Sequence, residues 1–386
     1  MRENEGDQPH AQPTFRPNRR RLLIAGAGAV AAASLATGFT YTPDFGRLPA
    51  AERLARIKAS PNYVDGEFRY PVDTPLFSEP GARLSSLGDF FIPSTVQRTP
   101  PEPLPVAATD YRTLDLAQAL LVWLGHSSYY LQLGGRRMLI DPVLGTTAAP
   151  FEFMNPAFPG AYTYLPAEMP DVDYVLISHD HWDHLDYGTI TALKDRIGQF
   201  VVPLGVGAHL EHWGVPPERI QELDWHETAN FPDVAVHAVP ARHFSGRSLR
   251  GNQSLWAGFV IETSGRRVFY SGDSGYGPHF AEIGRAFGGV DLAILENGQY
   301  DSRWTFVHMN PEEAAQAGED VRATVVVPSH FGKFSMARHS WDDPIVRLAR
   351  ASRNRPYTLM TPMMGEAVSI GGHMQPMSAW WEAVTG

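Results

Sequence analysis

The stretch Ser178-His179-Asp180-His181-Trp182-Asp183-His184-Leu185-Asp186 constrains this chain more than any other. It places three imidazoles and a carboxylate within six positions, in the order His-x-His-x-Asp-His. Residues 172–177 just before it are apolar and β-branched, which predicts a buried strand, and Ile190, Leu193 and Ile197 after it recur at helical spacing. The cluster therefore belongs on a strand-to-helix loop, where a rigid scaffold presents side chains at a sheet edge. Neutral imidazole and carboxylate form the ligand set preferred by zinc and its first-row neighbours. In a tight loop, residues two apart can face one metal while the next pair turns to another, so the spacing points to two cations.

The rest of the composition narrows the chemistry. There is no cysteine, which excludes disulfides, thiolate metal sites, a cysteine nucleophile and a lipidated-cysteine anchor. A formal charge of −10, with no basic run beyond the N-terminus, argues against nucleic acid as a partner. That N-terminus reads as a targeting segment. Arg19-Arg20-Arg21 precedes a weakly apolar Ala/Gly-rich run over residues 22–33, the pattern of a twin-arginine export signal, with Ser34-Leu35-Ala36 as a cleavage candidate. Export to the periplasm, or retention as a membrane anchor, is the expectation. Residues 41–110 read as a Pro-rich extension with a short helix over 48–57, and residues 111–386 as the domain that carries the candidate ligands.

Within that domain, apolar runs at 121–124, 129–133 and 137–140 predict three strands, the third ending at Asp141-Pro142. Asp141 could orient a ligand histidine or serve as an ordinary turn residue, and His126 reads as a structural hydrogen-bonding residue. Further strands are expected at 200–203, 234–239, 256–261, 267–270 and 323–328, with helices over 206–213 and 311–321. Three candidate ligands each follow a strand: His243, Asp273 between two glycines, and His330. His209 and His212 read as solvated, His226 as uninvolved, and His237 as a core or edge residue. The resulting assignment is His179, His181 and His243 on one metal, Asp183, His184 and His330 on the other, and Asp273 bridging. Two divalent ions are implied, zinc foremost, with iron or manganese also admitted by an N/O set.

These residues resemble the metallo-β-lactamase superfamily, where a His-x-His-x-Asp-His loop is followed by His, Asp and His in that order. The resemblance implies an α/β fold built as a four-layer αββα sandwich. It is closer to the N-acyl-phosphatidylethanolamine-hydrolysing phospholipase D branch. Trp123-Leu124-Gly125-His126, Leu139-Ile140-Asp141-Pro142, Glu222-Leu223-Asp224-Trp225, Ser271-Gly272-Asp273-Ser274-Gly275-Tyr276 and Val307-His308-Met309-Asn310-Pro311 carry that likeness. It implies that His308 lies near the substrate or leaving group, and that the protein forms a homodimer. Leu295-Glu296-Asn297-Gly298 departs from the branch in being more polar than the expected apolar stretch, and Lys333 stands where a small polar residue is usual.

The expected reaction is metal-assisted phosphodiester hydrolysis, with catalytic roles for Asp183, Asp273 and His308. N-acyl-phosphatidylethanolamine would give phosphatidic acid and an N-acylethanolamine, so a phospholipid or other small-molecule substrate and a membrane surface are the implied partners. Phe151, Phe153, Met154, Phe158 and residues 162–165 are candidates for an apolar rim and, equally, for ordinary core or loop packing. The alternatives are a lactone or carboxylic-ester hydrolase on the same site, and a noncatalytic metal-binding protein.

Overall fold

The computed structural model describes residues 42–78, 81–82, 96–151, 153–161, 164–247, 250–263, 265–371 and 378–384. The segment expected to direct export, and Tyr162 of the expected apolar rim, lie outside these residues. Pro43–Gly386 forms one compact unit. Among the described residues, no helix is long and apolar enough to cross a membrane.

The strands are β1 (Tyr63–Val64), β2 (Glu67–Phe68), β3 (Leu120–Trp123), β4 (Tyr129–Leu133), β5 (Arg136–Ile140), β6 (Val172–Leu176), β7 (Ile197–Pro203) and β8 (Ile220–Leu223). They continue with β9 (Thr228–Asn230), β10 (Ala235–Val239), β11 (Gly258–Thr263), β12 (Arg266–Tyr270), β13 (Val290–Glu296), β14 (Ala323–Ser329), β15 (Thr358–Leu359) and β16 (Ala367–Ser369). β1 and β2 pair as a hairpin. The others build two seven-stranded sheets, ordered β16-β3-β4-β5-β6-β7-β8 and β15-β14-β13-β12-β11-β10-β9. Each contains an antiparallel meander (β3–β4–β5, β10–β11–β12) whose last strand begins a parallel run.

Side-chain alternation along the strands makes the layers. Leu121, Tyr129, Leu131, Met138 and Leu176 meet Phe259, Ile261, Val268, Leu292 and Val325 in one core between the sheets. The alternate residues Val122, Tyr130, Leu139 and Val175 face the other way, against helices α2 (Tyr187–Leu193) and α3 (Gly207–His212). On the far side Phe269, Ala293 and Val326 pack on α4 (His279–Ala286), α5 (Pro311–Asp320) and α6 (Asp343–Ala351). Helix, sheet, sheet, helix is the expected αββα order. Strands buried on both faces cannot show polar alternation, and these runs are accordingly almost wholly apolar.

The N-terminal helix α1 (Ala51–Ala59) and the β1–β2 hairpin lie on this body, with Ile57 and Phe68 in the central core. One sequence expectation is corrected here. α2 ends at Leu193 and Ile197 opens β7, because the helical spacing continued by chance across a turn. Of the two readings open for Phe158, the structure bears out core packing: it belongs to the central cluster.

Candidate metal centre

β3, β6, β10, β12, β13 and β14 all run in one sense within their sheets, so their C-terminal ends fall along an edge. The loops that leave those ends carry His126, residues 178–186, His243, Asp273 and His330, and Glu296 is the last residue of β13. His126 and His330 stitch the sheets together there, through His126 N–H to Phe331 O (3.1 Å) and His330 N–H to His126 O (3.2 Å). His126, Asp141 and His330 adopt left-handed backbone, with φ of 52°, 40° and 66°. Such conformations cluster at functional sites. Gly272 (φ 58°) has no room for a side chain, since a Cβ would approach Ala257 O to 2.8 Å.

One group consists of His179, His181, His243 and Asp273. His243 Nδ1 lies 2.9 Å from Val307 O, an atom that only accepts, so Nδ1 holds the proton and Nε2 the lone pair. Ser178 Oγ donates to Asp141 Oδ2 at 2.5 Å and accepts from His179 Nδ1 at 2.9 Å, leaving His179 Nε2 as a lone pair too. Both lone pairs converge on His181 Nδ1, at 2.8 and 3.3 Å. Burial and neighbouring imidazoles hold His179 and His243 well below the ordinary histidine value, and burial lowers His181. Neutral imidazole is the ligating form.

A second group is His126, Asp183, His184 and His330, and a third, overlapping both, brings Asp273 and His330 together with Glu296 and His308. His184 Nδ1 donates to Asp141 Oδ2 at 2.6 Å. Asp141 is fully buried and also accepts from Ser178 N (2.7 Å) and Tyr270 Oη (2.5 Å). The orienting reading of Asp141 is thus the one the geometry bears. Burial opposes charge on His184, but Asp273, Asp183 and Asp141 outweigh it and move its pKa well up. Burial likewise opposes ionisation of Asp183, yet His184 and His126 hold it well below the carboxylate range. His126 Nε2 sits 2.9 Å from Asp183 Oδ2, and Ser127 Oγ lies 2.9 Å from His330 Nδ1.

Asp273 stands between the groups. Its Oδ2 is 3.1 Å from His184 Nε2, 3.8 Å from His243 Nε2 and 3.9 Å from His179 Nε2, while Oδ1 is 3.2 Å from His330 Nδ1. Three buried atoms of the predicted ligands lack any hydrogen-bond partner, His184 Nε2, His330 Nε2 and Asp273 Oδ1, as does Nδ1 of the neighbouring His126. Each such atom costs roughly 1–3 kcal/mol when unsatisfied. Divalent cations would satisfy all three, so the residues fit the dinuclear set read from the sequence.

Residues 136–331 match the model of the Beta-lactamase superfamily domain. The chain belongs to the metallo-β-lactamase superfamily. An uncharacterised protein of Mycobacterium tuberculosis is 38% identical over 369 residues, 94% of this chain and 99% of that one. N-acyl-phosphatidylethanolamine-hydrolyzing phospholipase D 1 of Caenorhabditis elegans is 33% identical over 231 residues, 55% of this chain and 64% of the worm protein. A metallo hydrolase from Ignicoccus hospitalis shares the fold with TM-score 0.50, at 22% identity, covering 66% of this chain and 100% of its own. The protein is a metal-dependent hydrolase of this superfamily.

Several residues of this superfamily member sit where the sequence left them open or did not point. His308 stacks on His330 (5.4 Å, 10°) and meets His243 edge-on (5.0 Å, 72°), which puts it against both groups. Its Nδ1 hydrogen-bonds Glu296 Oε1, a carboxylate that the sequence flagged only as an unexpected polar departure. His209 is corrected from solvated to buried. Its Nε2 lies 3.4 Å from Asp180 Oδ2 and its Nδ1 accepts from Arg47 N at 3.1 Å. Asp180 in turn accepts from Gly246 N and Ser254 Oγ, at 2.7 and 2.8 Å, so it fixes the ligand loop from behind. His212 and His226 are exposed, and His237 is a half-buried strand residue held by Thr228 Oγ1 at 2.8 Å. Arg247 also went unnoticed. It is buried, donates to Leu185 O (2.5 Å) and Asp44 O (2.6 Å), and stacks over Trp182 at 3.9 Å.

Proposed function

We propose that this enzyme hydrolyses a phosphodiester in a lipid headgroup, N-acyl-phosphatidylethanolamine foremost, to phosphatidic acid and an N-acylethanolamine. The observation that carries the reading is a cavity of about 760 Å³ that shares Trp182 with the ligand loop. Its walls combine apolar Phe153, Met154, Trp304 and Met336 with the guanidiniums of Arg98, Arg303 and Arg338. Apolar surface suits acyl chains, and guanidinium is the side chain best matched to phosphate. The rings of Phe151 and Phe153 stack at 5.7 Å, and Phe153 is 82% exposed, so the rim offers aromatic surface to a lipid. The relatives named for this reaction add support at 33% identity.

His179, His181 and His243 would hold one cation, Asp183, His184 and His330 the other, and Asp273 both. Bound there, divalent cations supply Lewis-acid polarisation of a phosphoryl oxygen and acidify water. Asp141, Ser178 and Ser127 keep the ligand rings aimed. The ring of His308, tied at Nδ1, has Nε2 left to meet the phosphate or the departing alcohol. In this reading residues 1–40 carry the enzyme to the envelope, where it takes substrate from a membrane surface.

The test is product analysis by mass spectrometry, with the metal-loaded chain and N-acyl-phosphatidylethanolamine in detergent micelles. Metal-dependent phosphatidic acid together with N-acylethanolamine is expected. Free fatty acid alone would reassign the enzyme as an ester hydrolase, and no product would remove the lipid substrate.

A further inference from the structure

Glu296 closes β13, a strand otherwise apolar from Leu292 onward, and it is fully buried. A buried carboxylate at the end of such a strand needs partners, and this one uses both oxygens. Oε2 accepts the backbone N–H of Ser274, the residue after Asp273, and Oε1 takes His308 Nδ1. The Glu296 N–H is itself fixed, donating to Ser271 Oγ at 2.9 Å. The carboxylate therefore has a single orientation, set by the Asp273 loop on one side and by the imidazole on the other.

His308 is held as firmly. It sits two residues before Asn310, whose side chain accepts from Glu313 N at 3.0 Å while Glu313 Oε2 accepts from Asn310 N at 3.0 Å, a reciprocal cap on α5. The ring lies between His243 and His330 and keeps 13% of its side chain exposed. A carboxylate that accepts from Nδ1 leaves Nε2 as the only ring nitrogen free to meet a ligand. The same logic orients histidines in hydrolytic triads, where the carboxylate acts through the imidazole and never touches substrate.

We propose that Glu296 is a positioning residue for His308, fixing the tautomer and ring plane that turn Nε2 toward the substrate at the metal centre. The proposal rests on the phosphodiesterase reading for the identity of that substrate, but not for the Glu296–His308 pairing itself. It also gives the polar Leu295-Glu296-Asn297 departure a purpose in this chain. The carboxylate supplies what a more apolar strand end could not.

Two measurements on the full-length, metal-loaded chain test it. Long-range ¹H–¹⁵N spectra are expected to show a hydrogen-bonded proton on His308 Nδ1 in the wild type, and to lose that signature in Glu296→Gln. In phosphodiester turnover, Glu296→Gln is expected to lower kcat by about 100-fold, with KM and metal content held within about twofold. Glu296→Asp should recover part of the loss. In a His308→Ala background the Glu296→Gln change should add almost nothing, since its effect runs through that ring. A wild-type His308 whose Nδ1 carries no proton overturns the proposal, as do losses from Glu296→Gln and His308→Ala that multiply. Wild-type protein inactive on the lipid would count against the phosphodiesterase reading alone, and the spectra would still decide the pairing.

Discussion

The two ligand groups differ in what stands behind them. In the first, the far nitrogens of His179 and His243 rest on neutral partners, a serine hydroxyl and a backbone carbonyl. In the second, His184 rests on the carboxylate of Asp141, and Asp183 is itself a ligand candidate. The electrostatics follow. His179 and His243 are held neutral, whereas three carboxylates pull His184 toward its charged form. The second group thus carries surplus negative charge that a divalent cation offsets, and a carboxylate behind a ligand imidazole raises its basicity. Two adjacent sites of similar donor type are thereby made unequal by their supports.

The largest expected effect comes from the residue common to both. Asp273→Asn should abolish turnover and strip both metals, measured by elemental analysis after dialysis; a variant that keeps two equivalents would end the shared assignment. Asp141→Asn should act chiefly on the second group, where Asp141 holds a ligand ring directly, lowering affinity for one equivalent by about 10–100-fold; it reaches the first group only through Ser178. Equal loss from both sites in a chelator titration would break the distinction drawn above. Ser127→Ala removes only a neutral contact to His330, worth about 1 kcal/mol, so its metal affinity should fall about fivefold.

The smallest effect on the site concerns the loop that carries His330. Lys333 is buried with its amine donating to Val143 O at 2.6 Å, and burial, only partly opposed by Asp186, lowers it from 10.5 to about 8. Between those two values the unfolded chain holds a proton that the folded chain does not. Stability should therefore rise with pH across that window, by roughly 3 kcal/mol in total, and the gain should be absent below it. Denaturation of Lys333→Met should lack this rise; an unchanged pH dependence would show that Lys333 is not its source.

Much of the centre was legible because its residues have few alternative uses. Six of seven ligand candidates are histidines or aspartates packed in one loop or standing just past an apolar strand, and the seventh, Asp273, lies between glycines. The residues that support them were harder to see. Asp141 and His126 are ordinary turn residues by type, and only their distances to His184 and Asp183 separate orientation from coincidence. His209 looked solvated because its short helix gives no strong face, yet Asp180 and Arg47, from distant segments, close over it.

The sequence by itself determined the strand-loop-helix setting, the ligand types and their order, since these depend on local periodicity and side-chain chemistry. Only the tertiary structure decided which buried atoms face one another, which nitrogen of each ring is free, and that Glu296 belongs to His308. Those are relations between segments joined by sheet register, as when β13 aligns with β12 and β14 and brings Glu296 beside Ser274. Register is set by hydrogen bonds and packing across the whole sheet, and no local stretch of the chain contains it.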